Sequence, residues 1–191
     1  AWTHGATVLI GRCTADPAVP YEPLVDAIEG HLATVSVEQR AALLASSGPA
    51  LAWVVPSMRR HADEPRTSSD SDHDRMRVLD ALTEFLRAVS TSAPTMVVVD
   101  DVQWASAASW RALAHMVQRL AHQRVLLVLV ERDPQPTSTA HRSTLTEFRR
   151  RPGLVEIELS GWSAPEAASF VEANVATGST PDREAIAALA E

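Results

Sequence analysis

The chain has 191 residues, of which 46% are hydrophobic and 21% charged, and its formal net charge at pH 7 is −7. This composition is typical of a globular protein, and the negative charge argues against a surface that coats nucleic acid, because such surfaces need clustered basic residues. A single cysteine excludes an internal disulfide, and no apolar run approaches the roughly 18 residues of a membrane-spanning helix. We therefore expect a soluble, cytoplasmic protein without membrane contacts.

The first part of the chain predicts one strand followed by helices. Residues 7–13 form a short apolar run closed by a glycine, which is typical of a buried strand that leads into a turn. Apolar residues then recur at helical spacing over residues 24–32, and a second helix is predicted over residues 37–45 with Ser36 as its N-cap. Residues 61–74 are rich in Ser, Asp and Pro, so we expect an exposed loop there.

The middle of the chain alternates helices with fully apolar strands. An amphipathic helix over residues 74–90 precedes a strand at Thr95–Asp100, and a helix over residues 106–122 connects it to a strand over residues 125–130. Both strands are apolar on successive residues, which is typical of strands covered on both faces in a parallel sheet. The βαβ unit that they form should have a right-handed crossover.

The remaining residues extend this alternation. A helix is predicted over residues 139–150, a third strand over residues 154–159, a helix at Ala164–Asn174 capped by Ser163, and a last helix from Asp182. The predicted fold class is therefore α/β, with a parallel sheet within residues 1–160 and the start of a helical segment in residues 161–191.

Charged side chains follow the ends of the two apolar strands. Asp100 and Asp101 close the first strand, and Glu131, Arg132 and Asp133 close the next. Because ligands of parallel sheets sit at the carboxyl ends of the strands, we expect these groups to share one crevice. Two carboxylates and an arginine suit phosphoryl transfer: one acid orients the water shell of Mg²⁺, the other aligns an attacking water, and the arginine stabilises a terminal phosphate.

Ordinary structural roles stay open for these residues. An Asp-Asp pair after a strand can cap the turn into the next helix, and Arg132 can pair with Glu131 or Asp133 on the surface. A tryptophan so close to a helix start, as Trp104 is, is more often a core residue. The seven histidines show no metal-ligand spacing and are expected in solvated positions. Cys13 is most simply a small core residue, since no partner marks it as a nucleophile.

Three stretches resemble a known family. Residues 96–133 read MVVVDDVQWASAASWRALAHMVQRLAHQRVLLVLVERD and resemble the Walker B to sensor-1 stretch of STAND-type signal-transduction ATPases, within the AAA-like ATPases. In particular they are similar to the ATPase module of large LuxR-type and related actinobacterial transcriptional regulators, often labelled an AAA or Orc-like ATPase domain. The other two stretches are GRCTADPAVPYEPLVDAI and VEIELSGWSAPEAASFV, which resemble the segment after the first helix and the passage into the helical lid, with Trp162 where leucine is usual.

The resemblance implies an ATP-binding regulatory switch with ATP and Mg²⁺ as cofactors. Asp100 would hold the Mg²⁺ shell through water, Asp101 would polarise the attacking water, and Arg132 would sense the γ-phosphate. Gln103 and Trp104 would pack a loop over the nucleotide. DNA would be contacted only through domains outside this chain, and self-association on nucleotide binding is a further possibility.

Two departures from the family pattern bear on function. Glu131 stands where a small or aromatic residue is usual, and it could hold Arg132 away from phosphate. All 17 basic residues are arginines, so the chain cannot contain the phosphate cradle G-x-x-x-x-G-K-[ST]. We therefore expect a C-terminal portion of an ATPase module that lacks its P-loop strand, which would lie between the strands at 125–130 and 154–159. Its loss would leave buried edges exposed.

Two function classes remain open from the sequence. The first is the ATP-binding switch, with ATP hydrolysis in the full-length protein and weak or absent ATP binding in the isolated chain. The second is a nucleotide-free scaffold with a degenerate ATPase fold, which the missing lysine favours and the acidic pair opposes. A complete enzyme of unrelated chemistry is a weaker third, because we find neither a conventional nucleophile nor a metal constellation.

Overall fold

The computed structural model describes residues 5–15, 19–61, 72–132 and 139–174. Three parallel strands form one sheet in the order β1-β2-β3, which confirms the predicted α/β fold class. The register pairs Thr7 with Thr95 at one end and Arg12 with Asp100 at the other. The strands are β1 at Thr7–Arg12, β2 at Thr95–Asp100 and β3 at Val125–Leu129.

The described ranges contain six α-helices, and their ends differ from the predicted ones by only a few residues. Of the loop predicted over residues 61–74, residue 61 ends a 3-10 turn and residues 72–74 are helical. Residues 62–71 and the helix predicted from Asp182 lie outside the described ranges. The helices are α1 at Glu22–Leu32, α2 at Val37–Ser47, α3 at Asp72–Ser92, α4 at Ala107–Arg119, α5 at Thr139–Arg149 and α6 at Ala164–Asn174.

Serine caps fix the starts of two helices. The Ser36 hydroxyl accepts a bond from the Gln39 amide at 3.2 Å, while the Gln39 side chain accepts one from the Ser36 amide at 3.0 Å. Ser106 accepts from the Ser109 amide at 3.1 Å and so starts α4 a few residues after β2. Both caps satisfy amides that lack partners within the helix.

One face of the sheet is covered by helices. Leu9, Val97 and Val99 point to this face and are almost fully buried. They belong to a core that includes Ile28 of α1 and Trp110 of α4. The connection from β1 to β2 and the connection from β2 to β3 cross the sheet in the same direction. Right-handed connections that cross a sheet in the same direction place their helices on the same face.

The opposite face of the sheet is open in the described structure. Ile10 is 58% exposed and Leu126 is 55% exposed, and Met96, Val98 and Val128 on the same face are only half-buried. The prediction that the apolar strands are covered on both faces is therefore wrong for the described residues. Apolar residues on both sides of a strand predicted two covering layers, but the described residues supply only one, from the helices of the two connections between strands.

Gly11 lies within β1 and does not close it, contrary to the prediction. A Cβ atom at this position would lie 1.7 Å from the carbonyl oxygen of Pro23, in the first turn of α1. The glycine therefore allows the start of α1 to approach the strand backbone closely. The strand continues to Arg12, which pairs with Asp100 of β2.

The chain divides into two compact units, residues 1–151 and residues 152–191. In the second unit the predicted strand over residues 154–159 is wrong for the described chain, because these residues make no sheet pairing. Their apolar side chains are solvent-exposed, up to 87% at Leu159. The helix α6 is present, and Ser163 donates to the Glu166 carboxylate from its amide at 2.8 Å. Within the described ranges, no helix has the length and apolar character needed to cross a lipid bilayer.

Candidate functional site at the strand ends

Backbone hydrogen bonds continue past the carboxyl ends of the three strands and hold these ends together. The Cys13 amide donates to the Asp100 carbonyl at 3.0 Å. The Val130 amide donates to the Val99 carbonyl at 2.9 Å, and the Val102 amide donates to the Val130 carbonyl at 2.9 Å. The side chains that follow each strand are therefore positioned by sheet backbone, which is more rigid than a free loop.

Asp100 is paired with an arginine from the neighbouring strand. Arg12 donates to Oδ2 of Asp100 from Nη2 at 2.8 Å and from Nε at 3.2 Å, while Oδ1 accepts from the Asp101 amide at 3.0 Å. The hydrogen bond from Arg12 is the main cause that lowers the pKa of Asp100, and it also raises the pKa of Arg12. Both groups are therefore charged at neutral pH.

Asp101 combines a left-handed backbone with a crowded carboxylate. Its φ and ψ are 53° and 41°, a conformation that aspartate tolerates better than most residues. Its Oδ1 atom lies 2.9 Å from Nε of Arg132 and accepts a bond from Nε2 of Gln103 at 3.2 Å. Its Oδ2 atom lies 3.9 Å from Nε of Arg12. The structure thus brings Asp100, Asp101 and Arg132 together at one edge of the sheet.

Gln103 connects the ends of β2 and β3. Its side chain is buried, and its Oε1 atom accepts a bond from the Arg132 amide at 3.3 Å, while its Nε2 atom donates to Asp101. Trp104, by contrast, is 40% exposed, so the interpretation of this residue as core is wrong. The indole that fills the core is that of Trp110, in α4.

Glu131 pairs with a histidine. Nε2 of His141 lies 3.0 Å from Oε2 of Glu131. The His141 ring stacks on the Trp110 ring, with the two ring centroids 4.8 Å apart. His141 is almost fully buried, so the expectation that every histidine is solvated is wrong here. Arg132 is bonded to Asp101 instead, so the described contacts do not show Glu131 holding it.

Cys13 is a buried core residue, as predicted. Burial is the main cause that raises the pKa of its thiol to about 12, and nearby carboxylates add to this effect. The thiol therefore stays protonated at neutral pH and is a poor nucleophile.

Arg12 is the site residue that the sequence analysis missed. The signal was present in the strand lengths, since TVLIGR and TMVVVD both have six residues and both begin with threonine. Alignment of their first residues places Arg12 opposite Asp100, which is the register observed. The glycine before Arg12 concealed this, because glycine is commonly interpreted as the end of a strand.

A family model described as AAA ATPase domain matches residues 2–129, more than half of the chain. The chain belongs to the AAA ATPase domain family. This match includes all three strands and the acidic pair, and it ends just before Arg132. Searches of curated proteins and of solved structures find no match.

AAA ATPase domains generally use ATP and Mg²⁺, so the fit of this site to a divalent cation matters. Among the side chains that the structure describes, no three His, Cys, Asp or Glu residues come together as a ready-made metal site. The donor set nevertheless fits hydrated Mg²⁺, which takes one or two carboxylates and completes its shell with water and phosphate oxygens. A cationic group already lies 2.8 Å from Asp100, which shows that this position accommodates positive charge.

Proposed function

We propose that the chain is the Walker B and sensor-1 part of an ATP-binding regulatory switch. The observation that carries the proposal is the pair of adjacent carboxylates, Asp100 and Asp101, at the carboxyl edge of a parallel sheet in an AAA ATPase domain, each in contact with an arginine. Like charges side by side are unfavourable unless cations offset them; the two arginines do so here, and at Asp100 a divalent cation would take over that role.

The roles of the individual groups follow from their chemistry. Mg²⁺ would neutralise phosphate charge when bound, and Asp100 would orient its water ligands. Asp101 would accept a hydrogen bond from the attacking water, while Arg132 would donate to the terminal phosphate. Gln103 would keep Asp101 and Arg132 in a fixed relation, and the exposed Trp104 would pack a loop over the nucleotide.

The phosphate cradle must come from outside this lysine-free chain. In the described structure β3 pairs only with β2, so its other edge is free to accept a strand. The connection from a strand added at this edge to β1 would cross the sheet in the direction opposite to the two present connections. A right-handed connection would therefore place a helix on the open apolar face. One strand and one helix would thus cover the free edge of β3 and the open face of the sheet.

The output of the switch lies in other domains. The resemblance to LuxR-type regulators supports a role in transcription, with DNA bound by domains outside this chain and with the nucleotide state as the signal. The net charge of −7 is consistent with this division, because the chain itself is poorly suited to hold DNA.

Asp100→Asn tests the proposal in the full-length protein. We expect the variant to lose the Mg²⁺-dependent part of ATP binding, measured by titration calorimetry with and without the metal. Asp80→Asn is the matched control, since Asp80 is an exposed aspartate on α3 that pairs with His115. Undiminished Mg²⁺-dependent binding by Asp100→Asn would reject the role of Asp100.

A nucleotide-free scaffold is the second candidate. The observation that favours it is that both carboxylates already have arginine partners, so the site has no charge left to compensate. The coding sequence upstream of Ala1 separates the two candidates. A glycine-rich loop ending in Gly-Lys-Ser or Gly-Lys-Thr, within about 20 residues of Ala1, supports the switch. Its absence supports the scaffold.

A further inference from the structure

We propose that Arg12 is a built-in counter-cation for Asp100, which competes with the divalent cation for this carboxylate and so sets the cation affinity of the site. The inference rests on the proposed function, because it concerns the same acidic pair. It adds a residue to which the family resemblance assigns no role.

Arg12 is hydrogen-bonded to an Asp100 oxygen that a cation or its water ligand would contact. Two of its N–H groups donate to the same atom, Oδ2 of Asp100, while Oδ1 accepts from the Asp101 amide. The strand register makes Arg12 and Asp100 direct partners, so both side chains leave the sheet on the same, open face. Both oxygens of Asp100 therefore already accept hydrogen bonds, and the ones to Oδ2 come from the guanidinium.

The balance of charges around Asp100 determines how strongly the site attracts a cation. Asp100 and Asp101 carry two negative charges, and Arg12 and Arg132 carry two positive charges within 4 Å of them. The cluster is neutral as a whole, and a neutral cluster attracts a divalent cation weakly. Removal of the Arg12 charge leaves a net negative cluster around Asp100.

The guanidinium can leave without disturbing the fold. Its side chain is 67% exposed, and exposed ion pairs are held weakly, so a stronger cation can displace it. The backbone of Arg12 is fixed separately, because its amide donates to Oδ2 of Asp26 at 3.3 Å and continues the close contact between β1 and α1. If a hydrated cation were bound, the hydrogen bonds from Arg12 to Oδ2 of Asp100 would be lost, and metal-bound water would donate to this oxygen instead.

Binding of Mn²⁺ to the chain tests this competition. Free Mn²⁺ is followed by electron paramagnetic resonance for the unmodified chain, Arg12→Gln, Arg12→Lys and Asp100→Asn. We expect Arg12→Gln to bind Mn²⁺ roughly three- to tenfold more tightly, Arg12→Lys to be intermediate, and Asp100→Asn to lose this site. Arg119→Gln, which removes an exposed arginine at the far end of α4, should leave the affinity unchanged.

The outcomes separate this inference from the proposed function. If Asp100→Asn abolishes Mn²⁺ binding while Arg12→Gln binds no more tightly than the unmodified chain, Arg12 does not compete and only this inference falls. If no variant binds Mn²⁺ through Asp100, this inference falls, while the proposed function is still decided by the Mg²⁺-dependent ATP binding of the full-length protein. If Arg119→Gln gained as much Mn²⁺ affinity as Arg12→Gln, the effect would come from the net charge of the chain, and the specific role of Arg12 would be overturned.

The Arg12 side chain offers a second, direct readout. Its Nε–H resonance in a ¹⁵N NMR spectrum is assigned by its loss in Arg12→Gln. We expect Mg²⁺ to shift this resonance toward the position of a solvated arginine, with the same midpoint as metal binding, because the bond to Asp100 is broken. A resonance that stays unchanged while the metal site fills would show that Arg12 is not displaced.

Discussion

Asp101 is the residue whose charge and backbone can be separated by experiment. Asparagine also tolerates the left-handed conformation, so Asp101→Asn keeps the backbone at φ 53° while it removes the negative charge. We expect ATP hydrolysis in the full-length protein to slow by roughly 100-fold or more, with a smaller change in ATP affinity. Single-turnover hydrolysis and equilibrium binding measure the two effects, and an equal loss in both would contradict a role confined to the attacking water.

Asp100 makes stability depend on pH in a defined direction. Arg12 lowers the pKa of Asp100 from the ordinary value of 3.8, so the folded state binds its proton less readily than the unfolded state. The stabilisation is therefore present above about pH 4 and disappears as the pH falls through the lowered pKa. Urea unfolding from pH 7 to pH 3 should show Asp100→Asn less stable than the unmodified chain at pH 7, with the difference shrinking below pH 4. A difference that does not shrink as the pH falls below 4 would contradict the ion pair.

The residues of the site were predictable to different degrees. Asp100, Asp101 and Arg132 directly follow apolar strands, so the topology alone brings them to one edge. Arg12 depends on the register between two strands, which local patterns do not specify. The pairing of Glu131 with His141 depends on the packing of α5, a tertiary contact without a signature in sequence.

At the scale of elements, the contact between β1 and α1 depends on Gly11. A methyl group there meets a backbone oxygen at 1.7 Å, so the strand and the helix must separate. We expect Gly11→Ala to lower the free energy of unfolding by about 3 kcal/mol, since overpacking without room to relax is strongly destabilising. Urea denaturation measures this loss.

Gly30→Ala is the matched control for that experiment. Gly30 lies inside α1, and a Cβ there meets nothing within 4 Å. Alanine is favoured over glycine in a helix, so this variant should be more stable by about 0.5–1 kcal/mol. Equal effects of the two substitutions would show that close approach does not explain Gly11.

Helix ends and strand ends were predictable where the signal is local. Ser36 is the predicted N-cap of its helix and caps it in the structure, and β2 has its predicted bounds, Thr95–Asp100. The prediction failed over residues 154–159 for a physical reason. An extended apolar segment becomes a strand only when a neighbouring strand pairs with it, and the described residues supply none.

At the scale of the whole molecule, the open sheet face should drive association of the chain when it is alone in solution. In the described part of the chain, Ile10 and Leu126 expose apolar surface on strands whose outer edges are unpaired, and such surfaces pair with other chains. We expect the double variant Ile10→Thr, Leu126→Thr to shift sedimentation velocity profiles toward monomer, since threonine keeps the strand preference but lowers apolar area.

Val37→Thr is the control, because Val37 is 77% exposed but lies on α2, away from the sheet. It should leave the sedimentation profile unchanged. If the control and the double variant behave alike, or if the unmodified chain is a monomer at tens of micromolar, the open face does not drive association.

The pairing of Arg12 with Asp100 has a consequence for how this protein can change over evolution. Side chains alternate between the two faces of a strand, so the loss or gain of one residue within β1 would turn the guanidinium toward the helix-covered face. Substitutions elsewhere in β1 leave that alternation intact. The charge balance of the site thus depends on the number of residues in β1, and small insertions or deletions in β1 should disturb it far more than the replacement of any single residue other than Arg12.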